Sequence, residues 1–127
     1  MKSILLIGLG RFGKHVAMKL HSLGHQIMAV DDDEERVNEI LPYVTNAIIG
    51  DSTSETFLSS LGVSNFDVCI VAIGSNLAAS VLVTMNMKEL GVPYIVCKAH
   101  DETHRQVLLK LGADQVVIPE QEGKDEW

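Results

Sequence analysis

The sequence predicts an α/β fold of Rossmann type: a doubly wound, mainly parallel six-stranded sheet with helices on both faces. Three observations lead there. Apolar, β-rich runs alternate strictly with segments of helical periodicity, the order of strands and crossover helices in an open sheet. Several of those runs, such as Leu5, Leu6 and Ile7 or Ile70, Val71 and Ala72, are continuously apolar, as expected of strands covered on both faces. A glycine loop, Gly8-Leu9-Gly10-Arg11-Phe12-Gly13, directly follows the first run and opens a helix pattern.

The elements follow in order. Strands are expected over 3–7, 26–30, 47–49, 68–73, 94–98 and 115–118, and helices over 13–22, 33–41, 54–61, 76–90 and 102–111. Gly24, Gly62, Gly91 and Gly112 each follow a Leu at the end of a periodic segment, where a left-handed C-cap is needed. The spacings of these four phrases are unequal, so they reflect recurring cap chemistry and not an internal repeat. The fourth helix, 76–90, is apolar nearly all round, which means either burial on more than one side or a subunit contact. The last stretch, 121–127, is polar and reads as a frayed tail.

Length and charge narrow the function classes. With 127 residues the chain suits one domain with its own core. Lys and Arg total 10 against 17 Asp and Glu, a formal net charge of -7, which disfavours broad nucleic-acid binding while allowing one small phosphate ligand. No apolar run approaches the ~18–20 residues of a membrane span, and the N-terminal stretch is too short for a signal sequence, so a cytoplasmic location is expected. Cys69 and Cys97 lie in apolar runs without a CxxC pattern and read as buried, reduced thiols.

The glycine loop has a physical reading residue by residue. Gly8 permits the tight turn out of the strand. Gly10 lets the main chain approach a pyrophosphate, and Gly13 lets the helix pack close to the sheet. The helix N-terminus then offers unpaired N–H groups to phosphate. The second strand runs into Asp31, 18 residues past Gly13 and close to the ~20 expected of a ribose-binding carboxylate. That carboxylate would repel a 2′-phosphate, disfavouring NADP. Asp33, Glu34 and Glu35 suit a helix N-cap and first turn.

Other candidates sit at the C-terminal ends of strands, the edge where open α/β sheets bind ligands. Asp51, within Gly50-Asp51-Ser52-Thr53, reads as an adenine-side acceptor or a helix cap. Ala72, Ile73, Gly74 and Asn76 would admit the adenosine half of a ligand or form a plain turn. Lys98 closes the fifth strand, facing a phosphate or a structural carboxylate. His100 and His104 stand four apart, but Asp101 replaces the Glu of a zinc-protease motif and His100 precedes the helix, so that reading is rejected.

Together these phrases, with Phe66-Asp67, Lys98-Ala99 and Leu111-Gly112-Ala113-Asp114 running into Ile118-Pro119-Glu120, resemble the RCK/KTN domain, also called the TrkA N-terminal domain. This is the nucleotide-binding module of regulatory subunits of Ktr- and Trk-type potassium transporters and of some potassium channels, and the Ktr branch is the most similar. The resemblance covers residues 1 to about 120.

It implies ATP/ADP or NAD(H) as ligand, with phosphates held by Gly8, Gly10, Phe12 and Gly13. Asp31 would bind ribose, and Asp51 and Ser52 would lie beside adenine. Ala72, Ile73, Gly74 and Asn76 would line the pocket, and Lys98 would reach a phosphate. Arg11 would meet the terminal phosphate, including across a subunit interface, and Glu120 would lie near a Mg or Ca ion there. The partners implied are a membrane potassium-translocating subunit and a second copy, as a homodimer or part of a larger ring, with no membrane insertion of the module itself. The family usually continues into a C-terminal domain of ~80 residues, which this sequence does not carry beyond its 121–127 tail. A non-enzymatic sensor is therefore expected. The weighed alternatives are a fragment of an NAD-dependent oxidoreductase, which lacks a substrate domain, and a phospho-receiver domain, whose acidic pair is replaced here by glycines.

Overall fold

Period-two alternation in the strands decides which helices cover which face. In the computed structural model, which describes residues 1–74 and 76–119, Leu5, Ile7, Cys69, Val71, Ile95 and Cys97 point to one side of the sheet. Ile4, Leu6, Ile27, Ala29, Ile70 and Val96 point to the other. Both sets are buried, so the sheet needs a helical layer on each face.

The strands are β1 (Ser3–Ile7), β2 (Gln26–Asp31), β3 (Asn46–Ile49), β4 (Val68–Val71), β5 (Ile95–Lys98) and β6 (Gln115–Val117). The helices are α1 (Arg11–Ser22), α2 (Glu34–Ile40), α3 (Glu55–Ser60), α4 (Leu77–Glu89) and α5 (Glu102–Lys110). Leu58 of α3, Val83 and Met87 of α4 and Leu108 of α5 pack on the first face, that of Leu5 and Ile7. Val16 and Ala17 of α1 and Val37 and Ile40 of α2 pack on the second, that of Ile4 and Leu6.

The sheet order is β3-β2-β1-β4-β5-β6, and every pairing is parallel. The expected Rossmann-like architecture is present. The order reverses between β1 and β4: Ile7 pairs Val30 on one side and Val71 on the other. A crevice opens at that switch point because the loops after β1 and β4 leave toward opposite faces.

Boundaries differ from expectation in instructive ways. α1 begins at Arg11, two residues before Gly13, so the second half of the glycine loop, Arg11 to Gly13, already lies in the first helical turn. β4 ends at Val71 because Ala72, whose N–H donates to the Ile7 carbonyl at 2.7 Å, already turns over the end of β1. Two short 3-10 turns, Leu41–Tyr43 and Val63–Asn65, link helices to strands. The cap reading of the four Leu-Gly phrases fits the positive φ of Gly24, Gly62, Gly91 and Gly112.

α4 separates its faces in an unexpected sense. Ser80, Val83, Thr84 and Met87 are fully buried, whereas Leu77, Leu82 and Met85 are 55%, 43% and 40% exposed. The buried polar groups are satisfied. Thr84 Oγ1 donates to the Ser80 carbonyl at 2.8 Å and lies 3.3 Å from Cys97 Sγ. Asn86 Nδ2 donates to the Thr53 carbonyl at 3.3 Å.

Both cysteines are buried and free. Burial pushes the Cys69 thiol up to about 12, and the Cys97 thiol up to about 11 against a lowering contribution from Thr84. Thiols this far from ionising are poor nucleophiles and poor metal ligands.

Candidate functional site

A cavity of about 460 Å³ lies along the C-terminal edge of the sheet. Its lining includes Gly8, Gly10, Arg11 and Phe12 from the first loop, Asp31, Asp51 and Ser52, then Ala72, Ile73, Gly74, Asn76 and Lys98. The structure thus brings together the expected crevice residues, apart from Gly13. Glu120 and Ser75 lie outside the described residues.

The glycine loop is built as follows. Gly8 has φ +100°, open to glycine and strained for other residues, and its N–H donates to the Val30 carbonyl at 2.9 Å. A Cβ on Gly10 would meet nothing within 4 Å, so no part of the chain demands glycine there. A Cβ on Gly13 would run into the Gly8 carbonyl, while Ala72 Cβ would be only an ordinary 3.5 Å neighbour. Glycine at 13 thus lets α1 lie close against the end of β1, as expected, with the point of closest approach at the Gly8 carbonyl and not at Ala72.

Electrostatics divide the cavity into two ends. Asp33, Ser54, Asn76 and Asp101 cap α2, α3, α4 and α5 through their side chains, and α1 alone among these helices starts without one. Its first turn carries no acid, and Arg11 stands there against the helix dipole. An anion would satisfy both features.

Lys98 sits at the same end, its ammonium 5.6 Å from the centroid of the Phe12 ring. Among the described residues no carboxylate pairs with it. A Cβ on Gly74 would lie 2.5 Å from Lys98 Nζ, so glycine at 74 makes room for that side chain.

The opposite end is acidic. Asp31 is buried, its Oδ2 accepting the Leu9 N–H at 2.7 Å and its Oδ1 the Asp33 N–H at 2.9 Å. It therefore ties the glycine loop to the end of β2, in addition to facing the cavity. A carboxylate offers about four acceptor sites, so capacity remains for ribose hydroxyls. A hydrogen bond with the Asp31 side chain, reinforced by burial and by the Asp31 charge, raises the Asp32 carboxyl above the usual carboxylate range.

Asp51 turns out not to cap α3; Ser54 does, accepting from Phe57 N–H at 3.2 Å. Asp51 Oδ1 instead accepts from the Thr53 hydroxyl at 2.6 Å and its N–H at 3.0 Å, which hold the Asp51 carboxyl below its ordinary value. Asn76 lines the cavity and caps α4, accepting the Ala79 N–H at 3.0 Å.

Sequence reasoning missed Arg36, Asp32 and Thr53 as lining residues. Arg36 stands on α2 with its guanidinium 3.9 Å from Asp31 Oδ2 and 4.0 Å from Asp33. No motif marks it; the signal available was its place one turn after the Asp33 cap. No group of three or more His, Cys, Asp or Glu among the described residues could hold a metal ion.

The TrkA-N domain family model matches residues 4–119. The chain is 49% identical to Ktr system potassium uptake protein C and 47% identical to Ktr system potassium uptake protein A of Bacillus subtilis (strain 168), each over 121 residues and 95% of this chain. It spans only 55% and 54% of those relatives' lengths.

Among solved structures, the TrkA-N domain of the inner membrane protein ybaL from Escherichia coli superposes with a TM-score of 0.85 at 22% identity, covering 95% of this chain and 90% of that one. The GsuK channel, solved bound to ADP and bound to NAD, gives a TM-score of 0.79 at 20% identity in both cases. The ADP-bound match covers 93% of this chain and 31% of GsuK, and the NAD-bound match 91% and 21%.

Proposed function

Because the chain belongs to the TrkA-N domain family, we propose that it is a regulatory module that binds an adenine nucleotide and, through that ligand, gates a membrane potassium transporter or channel. One observation carries the ligand reading. Alone among α1–α5, α1 lacks a side-chain cap, and it opens into the crevice beside Arg11 and Lys98, while a carboxylate, Asp31, faces the other end of the same space.

An adenosine diphosphate moiety has the matching polarity: anionic at the pyrophosphate and donor-bearing at the ribose. The first turn of α1, with Lys98, would take the phosphates, Asp31 the ribose hydroxyls, and Asp51 and Ser52 the adenine side. Arg11, which lines the cavity at the start of α1, would meet a terminal phosphate. The coupling to potassium transport rests on the names of the two Ktr relatives, and the GsuK complexes support ADP and NAD as ligand classes for this fold.

The test is a thermal-shift panel with ADP, ATP, NAD⁺, NADH and NADP⁺. A ligand at ~100 times its Kd stabilises by about 2.7 kcal/mol. For a chain of this size that raises Tm by roughly 5–10 °C. A rise with ADP and at least one of the other adenine ligands, and a smaller one with NADP⁺, whose 2′-phosphate would face Asp31, is the expected pattern. No rise with any of them would remove the reading.

A nucleotide-driven switch also needs a second copy whose position the ligand can change. The exposed apolar row Leu77, Leu82 and Met85 on α4, continued by Val107 on α5, supports that face as the contact. No helix among the described residues is long and apolar enough to cross a membrane. The similarity to the two Ktr relatives, and not that absence, supports a place for the module at the cytoplasmic face of the membrane beside a translocating partner. Leu82→Lys places a charge at the centre of the row. It should convert dimers to monomers in sedimentation while leaving ADP binding by each subunit; an unchanged oligomer would place the contact elsewhere.

A further inference from the structure

His104 lies on α5, is 5% exposed, and touches neither end of the nucleotide cavity. Its ring is nonetheless held at both nitrogens. Nδ1 accepts the His100 main-chain N–H at 3.0 Å, and Nε2 lies 3.1 Å from the hydroxyl of Ser80, a fully buried residue of α4. A main-chain N–H can only donate, so Nδ1 carries no proton. The neutral ring is then protonated at Nε2 and donates to Ser80 Oγ. A second proton could go only to Nδ1, where it would confront the His100 N–H, donor against donor.

The segment so held is the turn that follows Lys98. Ala99 N–H donates to the Val117 carbonyl at 2.8 Å, His100 N–H to His104, and Asp101 Oδ1 accepts the His104 N–H at 2.8 Å. A second cavity of about 470 Å³, lined by His100, Asp101, Thr103 and His104, abuts the nucleotide crevice, and Gly74 and Lys98 line both.

We propose that His104 is a positioning residue for the crevice: as a neutral imidazole it latches the Lys98–Asp101 turn onto α4, and its protonation opens that latch. The effect on ligand rests on the nucleotide reading above; the latch itself does not.

The charges around the ring support a latch that stays closed near neutral pH. Burial holds His104 below the ordinary histidine value, the His100 charge adds to that lowering, and Asp101 opposes it. Lys98 lines the same cavity, and Glu102 and Arg105 pair with each other at 3.7 Å on α5. α4 carries charge only in its last turn, at Lys88 and Glu89, and β6 carries none.

Because the folded value lies below the unfolded one, the unfolded chain takes up the proton first. The stability contributed by neutral His104 is present above about pH 6.5 and is lost as pH falls below it.

Two measurements on the full chain test this. Nitrogen-15 NMR of the imidazole in the ligand-free protein should show the Nε2–H tautomer with a midpoint below about 6.5, and the His100 amide should shift over the same range. An Nδ1–H tautomer, a midpoint at or above that value, or an unresponsive His100 amide would overturn the latch.

ADP affinity at pH 7.5 and 5.5 is then compared between wild type and His104→Asn, whose side-chain oxygen can still accept from His100 but does not titrate. The comparison cancels titration of ADP itself and of the other histidines. Wild type should weaken at least about threefold more than the variant on acidification. Equal weakening would show that His104 does not act on the crevice. ADP binding to neither protein at either pH would instead defeat the nucleotide reading, with the latch still judged by the tautomer.

Discussion

Gly10→Ala should fold as well as the wild type and lose its response to adenine nucleotides. The two halves of this result come from separate observations. Gly10 has φ −69° and ψ −164°, extended backbone that alanine adopts, and a Cβ there would meet nothing within 4 Å. The substitution should therefore leave stability unchanged or raise it by up to about 1 kcal/mol, by narrowing the unfolded ensemble.

The space that the methyl would occupy is the cavity floor between the first turn of α1 and any bound pyrophosphate. Amide-to-phosphate contacts require approach to ~2.7–3.2 Å. A Cβ in that path should reduce affinity by 100-fold or more, about 3 kcal/mol. Gly13→Ala is the matched contrast. Its Cβ would overlap the Gly8 carbonyl, and main chain cannot yield as a side-chain tip can. It should lose roughly 3 kcal/mol or more of stability, the scale of severe local overpacking. Melting of both variants with and without ADP reads both effects. Wild-type ADP affinity in Gly10→Ala would mean that the glycine loop does not hold the phosphates.

The contrast between these glycines shows where sequence was legible and where it was not. The GxGxxG spacing identified a loop that must be tight, and the strand–helix alternation identified the sheet that presents it. Both signals are local and periodic, so they survive in one dimension.

What sequence could not separate was a glycine required by the chain from one required by something outside it. That distinction depends on which atoms stand opposite: the Gly8 carbonyl for Gly13, open space for Gly10. The helix-cap alternative for Asp51 failed for the same reason. A carboxylate two residues before a Thr and three before a Ser can serve a turn or a helix, and the turn won because Ser54 already caps α3.

α4 was the least legible element. With apolar residues all round it had no periodicity to orient it, and its buried face is chosen by polar partners on distant elements. Ser80 meets His104, Thr84 meets Cys97, and Asn86 meets the Thr53 carbonyl.

Asp31→Asn should damage both the loop and the ligand, and the two losses can be measured apart. In the wild type each carboxylate oxygen accepts a main-chain N–H, from Leu9 at 2.7 Å and from Asp33 at 2.9 Å. An asparagine has one acceptor oxygen, so one of those N–H groups must face an NH₂. The Leu9 bond is buried, and an orphaned donor there costs about 1–3 kcal/mol. Leaving the Leu9 bond intact would place the loss at Asp33, which is exposed and can turn to water. Hydrogen exchange at the Leu9 and Asp33 amides therefore tells which way the asparagine settles, and melting gives the size of the loss.

Ligand binding adds an independent term. Ribose hydroxyls donating to a carboxylate make charge-assisted bonds worth about 1.5–3 kcal/mol, or 10- to 100-fold in affinity. ADP and its 2′,3′-dideoxy analogue should differ by that factor in the wild type and bind Asp31→Asn with nearly equal, weakened affinity. Arg36 remains 3.9 Å from the position of the lost charge, and with Asp33 as its one remaining carboxylate partner it would welcome a 2′-phosphate. The same substitution should thus move NADP⁺ in the opposite direction, narrowing or reversing the preference for NAD⁺. An unaltered gap between ADP and dideoxy-ADP in the variant would show that Asp31 serves the glycine loop alone.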